Sequence, residues 1–164
     1  MTLSRASRDR NFKDALMRMA EDIGEGAVYA CDFESNSDRY RDILPTTWDL
    51  LMERGYVKFR WFDAYNLTVA GWAEGVILLG WHQTPAFAPK LSRLMAALKD
   101  EIKGREHYEA YLPVSTAAAS TGIPEELIRN IIEGRLIERV FNRVGGTLDT
   151  DDVIVIPRRF GLPL

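Results

Sequence analysis

Hydrophobic residues along this chain follow a helical period in some segments and alternate like strands in others. The clearest helical pattern lies between Thr84 and Gly104, where apolar side chains recur every three or four positions. Thr84 is predicted to cap this helix, with Pro85 in its first turn. Its apolar positions are Phe87, Leu91, Leu94, Met95, Leu98 and Ile102. One face must therefore be buried, against either flanking part of the chain or against a second copy of the protein.

Residues 114–160 predict a helix, a turn, a second helix, a strand, a loop and a second strand. Ser115 is predicted to cap a short Ala-rich helix that ends at Gly122. The second helix is predicted to begin at Pro124 and to end at Gly134. The predicted hairpin that follows consists of Leu136–Phe141, a loop with Gly145 and Gly146, and residues 153–157.

An earlier segment predicts a similar order. A helix that begins at Pro45 and ends at Gly55 precedes a hairpin of residues 56–61 and 65–67. Thr68 is predicted to cap the next helix. The residues predicted to share one face of the first hairpin strand are Val57, Phe59 and Trp61. Two further helices are predicted upstream, one from Asp9 to Gly24 and one over residues 38–44.

The order of elements in residues 114–160 resembles a winged helix-turn-helix, and residues 45–80 resemble the wing region of bacterial winged-helix regulators. The resemblance implies a mainly α fold with small β-hairpins, of the α+β class. It implies two winged-helix units joined by the long amphipathic helix. The predicted boundary places an N-terminal unit with flanking helices at residues 1–103 and a C-terminal unit at residues 104–164.

The composition limits the possible classes of protein and cellular compartments. With 164 residues and 46% hydrophobic content, the chain is long enough for a packed core. Its formal net charge of −3 argues against binding nucleic acid by overall charge. A single cysteine excludes an internal disulfide and fits a reducing compartment. No apolar run reaches membrane-spanning length, so a cytoplasmic protein without a membrane partner is predicted.

The sequence offers little catalytic chemistry. His82 and His107 are far apart in sequence, and with one cysteine they match no familiar zinc spacing. No glycine-rich phosphate loop and no nucleophile elbow is present. The paired carboxylates have structural explanations, as acids at a helix start or in a solvated loop. A non-enzyme without metal or cofactor is therefore predicted.

Double-stranded DNA is the first predicted partner. The helix from Pro124 to Gly134 is predicted to bury its apolar residues and to expose Arg129 and Asn130, whose side chains suit guanine and adenine. In the family that the chain resembles, this helix usually enters the major groove. The remaining predicted DNA contacts, all basic residues suited to the phosphate backbone, are Arg135, Arg139, Arg143, Lys58 and Arg60. Transcriptional regulation without catalysis is the function that this interpretation implies.

A protein partner is the alternative. Winged-helix folds also serve as assembly surfaces, and the acidic net charge favours this interpretation. Trp61 and Phe62 lie near the predicted tip of the first hairpin, where aromatic side chains often pack on another domain or subunit. These two residues are the predicted protein interface. A homodimer is compatible with both interpretations.

Overall fold

The structure is a computed structural model that describes residues 4–104 and 108–164. Within these residues the chain is α+β, with seven α-helices and two three-stranded antiparallel sheets. Its contacts divide it into two compact units, Met1–Leu79 and Gly80–Leu164. This division lies upstream of the 103/104 boundary expected from sequence, because the long amphipathic helix packs within the second unit.

The first unit contains three helices and one sheet. Its elements are α1 (Arg5–Ile23), β1 (Phe33–Glu34), α2 (Pro45–Glu53), β2 (Val57–Trp61), β3 (Ala64–Leu67) and α3 (Val69–Leu79), with one turn of 3-10 helix at Val28–Ala30. The sheet has the order β1, β3, β2, so the second hairpin strand lies in its centre. Thr68 caps α3 as predicted, since its hydroxyl accepts from the Gly71 amide at 3.1 Å.

Helices α1 and α3 pack closely because α3 presents a glycine to α1. A Cβ added to Gly75 would lie 2.5 Å from the Cβ of Ala20 and 2.7 Å from the carbonyl oxygen of Leu16. The start of α1 differs from the predicted Asp9. The helix begins at Arg5, because the Ser4 hydroxyl accepts from a backbone amide in the first turn.

The helix predicted over residues 38–44 is wrong, and this segment forms turns. Side chains of α1 bind its backbone and carboxylates instead. Asn11 accepts from the Leu44 amide at 3.1 Å, and the Arg18 guanidinium holds both carboxylate oxygens of Asp42 at 2.6 Å. These long-range polar contacts take the place of helical hydrogen bonds. The buried side chains of Tyr40 and Ile43 anchor the segment to the core.

The first hairpin forms as predicted, but its alternation breaks at Arg60. Phe59 lies opposite Tyr65, and Trp61 lies opposite Ala64. Two residues of β2 therefore match one residue of β3, which is a β-bulge. Successive residues of β3 point to opposite faces, and cross-strand partners share a face. The prediction that Trp61 shares a face with Phe59 is therefore wrong, because the bulge moves Trp61 to the other side.

The second unit contains four helices and the other sheet. Its elements are α4 (Ala88–Ile102), β4 (Ala110–Pro113), α5 (Val114–Thr121), α6 (Glu125–Glu133), α7 (Leu136–Phe141), β5 (Thr147–Leu148) and β6 (Val153–Ile156), with a turn of 3-10 helix at Trp81–Gln83. The sheet order is β4, β6, β5. The predicted ends of α5 and α6 are confirmed at Gly122 and Gly134.

The apolar face predicted for α4 is confirmed. Its buried residues, with the preceding Phe87, are Leu91, Leu94, Met95 and Leu98. The face packs on β4 and α5 of the same unit. Thr84 caps a turn before the helix rather than the helix itself, since its hydroxyl accepts from the Phe87 amide at 3.3 Å and α4 begins at Ala88.

The strand predicted at Leu136–Phe141 is wrong, because these residues form α7. Arg135 and Asn142 both adopt the left-handed conformation and bracket the helix. A segment of six residues with apolar side chains at both ends fits the period of a helix as well as that of a strand, so its packing decides which one forms. Gly145 lies against Glu138 of α7, where an added Cβ would be 2.7 Å from a carboxylate oxygen. The actual hairpin pairs β5 with β6.

None of the helices in the described ranges is both long enough and apolar enough to cross a membrane.

Candidate functional site

The side chain of Arg129 on α6 is held by three carboxylates of its own unit. Its Nε donates to Oδ1 of Asp152 at 2.8 Å and its Nη1 to Oε1 of Glu126 at 2.8 Å. Its Nη2 also contacts Asp152 and lies 3.2 Å from Oε2 of Glu125. The guanidinium therefore has no free edge for a bidentate contact with guanine.

The charges in this cluster stabilise one another. Hydrogen bonding from the Arg129 guanidinium lowers the pKa of the Asp152 carboxyl below its usual range. The same hydrogen bond raises the pKa of Arg129. Asp152 approaches from the turn between β5 and β6, so the cluster ties the hairpin to α6. This arrangement indicates a structural role for Arg129.

Asn130 is buried, with 4% of its surface exposed, so the prediction that it faces outward is wrong. Helix α6 buries five of the six residues from 127 to 132, which is a wider arc than one helical stripe. The unit covers this helix on more than one side, and the short amide side chain is enclosed with it. The exposed surface of α6 is instead acidic, with Glu125 and Glu133.

The three arginines predicted on a strand and wing lie elsewhere. Arg135 precedes α7, Arg139 lies on α7 and Arg143 follows it. All three are exposed, and Arg135 is 3.9 Å from Oε1 of Glu138. Arg143 pairs across a short bridge with Pro163 and donates to the carbonyl oxygen of Gly161 at 3.5 Å. Arg158 and Arg159 are exposed in the turn that leads to Gly161.

Of the two basic residues predicted on the first hairpin, Arg60 lies beside an acid. Lys58 is exposed on β2 opposite Asn66. Arg60 sits at the bulge, with its Nε 4.0 Å from Oδ1 of Asp32 and its guanidinium 6.0 Å from the centre of the Trp61 ring. The basic surface here is therefore smaller than the sequence suggested.

The tip of this hairpin exposes two large aromatic side chains. Phe62 is 91% exposed and Trp61 is 61% exposed. Phe62 also has a φ of 47°, in the left-handed region that bulky residues rarely adopt. With Glu34, Asn36 and Asp63 they line a notch of about 150 Å³. The hairpin tip, defined here as Trp61, Phe62 and Asp63, is thus apolar at its end and acidic at its side.

No family model, no curated protein and no solved structure matches the chain.

Metal chemistry has no cluster to support it in the described parts of the chain, where no group of three His, Cys, Asp or Glu side chains could hold an ion. His82 lies in the 3-10 turn before α4. His107 lies outside the described residues. The sequence did not indicate Glu34, because its position beside the tip depends on the pairing of β1 with β3. Trp61 and Phe62 lie near the tip of the first hairpin, where the sequence predicted them.

Proposed function

We propose that this chain is a non-catalytic protein-docking module that binds a protein partner through the hairpin tip of its first unit. The observation that carries this proposal is the exposure of Phe62 and Trp61 on a tight turn. Each has an apolar surface whose burial contributes about 1.5–3 kcal/mol. Tryptophan is among the residues that most often dominate the binding energy of an interface, and phenylalanine is enriched in interfaces.

The backbone of the tip supports the same function. A left-handed phenylalanine costs about 1 kcal/mol or more, and such strain tends to persist where function requires it. Glycine or asparagine at position 62 would relieve it. The strained turn holds the Phe62 ring in solvent, where the ring contributes no buried surface to the first unit.

The two carboxylates of the notch define the partner's chemistry. Glu34 and Asp63 line the notch together with the two aromatic rings. A lysine or arginine of a partner would satisfy both the carboxylates and the ring faces. The partner surface is therefore an apolar pocket for Phe62 with a basic side chain at its edge.

The order of elements supports a winged-helix assignment for both units. Along the chain, each unit has a helix, a short strand, one or more further helices and then a hairpin. In each sheet, the second strand of that hairpin lies between the other two strands. In this assignment α6 occupies the place of the DNA-reading helix. Its acidic exterior, held arginine and buried asparagine disfavour base reading, which is why protein docking is preferred.

The docking proposal is tested by photo-crosslinking. A benzophenone amino acid replaces Phe62 in one preparation and Tyr111 in the control, since Tyr111 is an exposed aromatic residue of the second unit. We expect a discrete protein adduct from position 62 that disappears when Trp61→Ala is added, and none from position 111. Equal labelling from both positions, or no adduct from position 62, would refute the proposal.

A second candidate function is DNA binding through phosphate contacts of the second unit. The observation that favours it is the set of exposed arginines Arg139, Arg143, Arg158 and Arg159 in one unit. Phosphate neutralisation makes binding weaken steeply as salt rises. Fluorescence anisotropy of a mixed duplex pool at several salt concentrations tests it. We expect Arg139→Glu with Arg143→Glu to abolish binding without unfolding the protein, whereas binding that survives this double reversal would exclude these arginines as the contact surface.

A further inference from the structure

The second unit contains a groove of about 550 Å³ between α4 and the segments that follow α7 and β6. Its volume lies within the range of about 300–1,000 Å³ typical of small-molecule sites. The residues that matter for its chemistry are Met95, Ala96, Lys99, Phe141, Arg143 and Gly161. Neither the hairpin tip nor the acidic cluster on α6 contributes to it.

Two cations converge at one side of this groove, at Gly161. The Arg143 guanidinium donates to the carbonyl oxygen of Gly161 at 3.5 Å. A Cβ added to Gly161 would lie 3.3 Å from Cε of Lys99, so the lysine stem passes directly over this glycine. Both charged side chains are exposed. Among residues 4–104 and 108–164, no carboxylate oxygen lies within 4.0 Å of either cation.

The other side of the groove is apolar. Met95 is almost fully buried and Phe141 is half-buried, so each presents only part of its surface. Ala96 is exposed and lines the same groove, and its small side chain leaves space that a larger one would fill. A thioether and an aromatic ring together suit a flat apolar group.

We propose that this groove binds a small aromatic carboxylate or phosphate ester. The anionic group lies between Lys99 and Arg143, and the ring packs on Met95 and Phe141. Two exposed cations beside an apolar wall complement a ligand that carries both an anionic and an apolar group. This site is independent of the docking function proposed above.

Isothermal titration calorimetry with four probes tests this assignment. Phenyl phosphate and phenylacetate carry the ring and the anion, inorganic phosphate carries the anion alone, and benzyl alcohol carries the ring alone. We expect one of the first two to bind at least about tenfold more tightly than either of the last two. Phosphate and carboxylate ligands are distinguished by which of the two ring-bearing anions binds better.

Variants locate the binding. Lys99→Gln and Arg143→Gln should each weaken it by about tenfold, and Ala96→Phe should abolish it by filling the groove. The matched control is Arg135→Gln, because Arg135 is equally exposed but does not line the groove. Circular dichroism checks that each variant is folded.

Three results would overturn the proposal. The first is the absence of heat from both ring-bearing anions at about 10 mM. The second is binding of inorganic phosphate as tight as that of phenyl phosphate, which would indicate a simple ion contact. The third is unchanged affinity in the folded Lys99→Gln, Arg143→Gln double variant.

Discussion

The cluster around Arg129 allows a quantitative test of its structural role. Arg129→Gln removes a guanidinium that makes a two-point contact with Asp152 and one contact each with Glu125 and Glu126. Three carboxylates are then left without their shared cation. The Arg129 and Asp152 side chains are 23% and 43% exposed, so solvent screens the interaction in part. We expect Arg129→Gln to lower the free energy of unfolding by about 2 kcal/mol at neutral pH.

A double-mutant cycle isolates the pair. Asp152→Asn is the suitable partner change, because Asp152 has a φ of 62° and asparagine tolerates that conformation. We expect a coupling free energy of about 1 kcal/mol from urea unfolding of the four proteins. Arg135→Gln is the control and should change stability by less than about 0.5 kcal/mol, since Arg135 is exposed with its nearest carboxylate 3.9 Å away.

The pH dependence of this coupling gives an independent check. The folded protein lowers the pKa of Asp152, so the carboxylate contributes stability above its pKa in the unfolded chain. That contribution is lost as the pH falls through the lower pKa of the folded state. The coupling should therefore weaken as the pH falls below the usual pKa of an aspartate and disappear once the folded carboxyl is protonated. A coupling near zero at neutral pH, or one that persists unchanged in acid, would refute the structural role assigned to Arg129.

Three further predictions concern stability in the first unit, each measured by urea unfolding. Gly75→Ala should destabilise the protein by more than about 2 kcal/mol, although alanine normally favours a helix, because its Cβ would lie 2.5 Å from an atom of α1. The control is Gly55→Ala, at an open left-handed position, which should cost only about 1 kcal/mol. Equal losses of stability in the two variants would contradict the close packing of α1 and α3. Phe62→Gly should stabilise the protein by about 1 kcal/mol by relieving its left-handed backbone, and a loss of stability would show that the ring supports the fold. Tyr40→Phe should cost about 1 kcal/mol at neutral pH through loss of the hydrogen bond to Asp22. Because burial raises the pKa of Tyr40 in the folded protein, the contribution of this tyrosine to stability is present below about pH 10 and declines above it. Tyr40→Phe should therefore lose less stability than the natural protein between about pH 7 and pH 11. Equal losses in the two proteins would contradict the role assigned to Tyr40.

The helices that were predicted correctly have strong local signals. Helix α4 has a long apolar period, and α5 and α6 end at glycines. Pro85, predicted in the first turn of α4, instead precedes the helix. The first hairpin was also predictable, since a cap at Thr68 and a glycine after α2 frame it. In these segments local propensity and tertiary packing favour the same conformation.

The errors arose where distant residues decide the structure. Asp152 lies 23 residues after Arg129, so no local pattern indicates that it holds the guanidinium. Strand β4 was missed because its four residues gain their partners only from β6. The two cations of the groove come from α4 and from beyond α7, and they meet only where the chain after β6 returns as Gly161. Sequence periodicity reports which face is buried, but it does not report what buries it.

The proposal of protein docking is tested most directly with the partner that the crosslinking identifies. This partner is purified, and its affinity for three forms of this protein is measured. Calorimetry would compare the natural chain with Phe62→Ala and with Tyr111→Ala, which removes an exposed aromatic residue outside the tip. We predict that Phe62→Ala weakens binding by about 30-fold or more, which is about 2 kcal/mol, while Tyr111→Ala leaves it within about twofold. Equal affinities for the natural chain and Phe62→Ala would contradict the account.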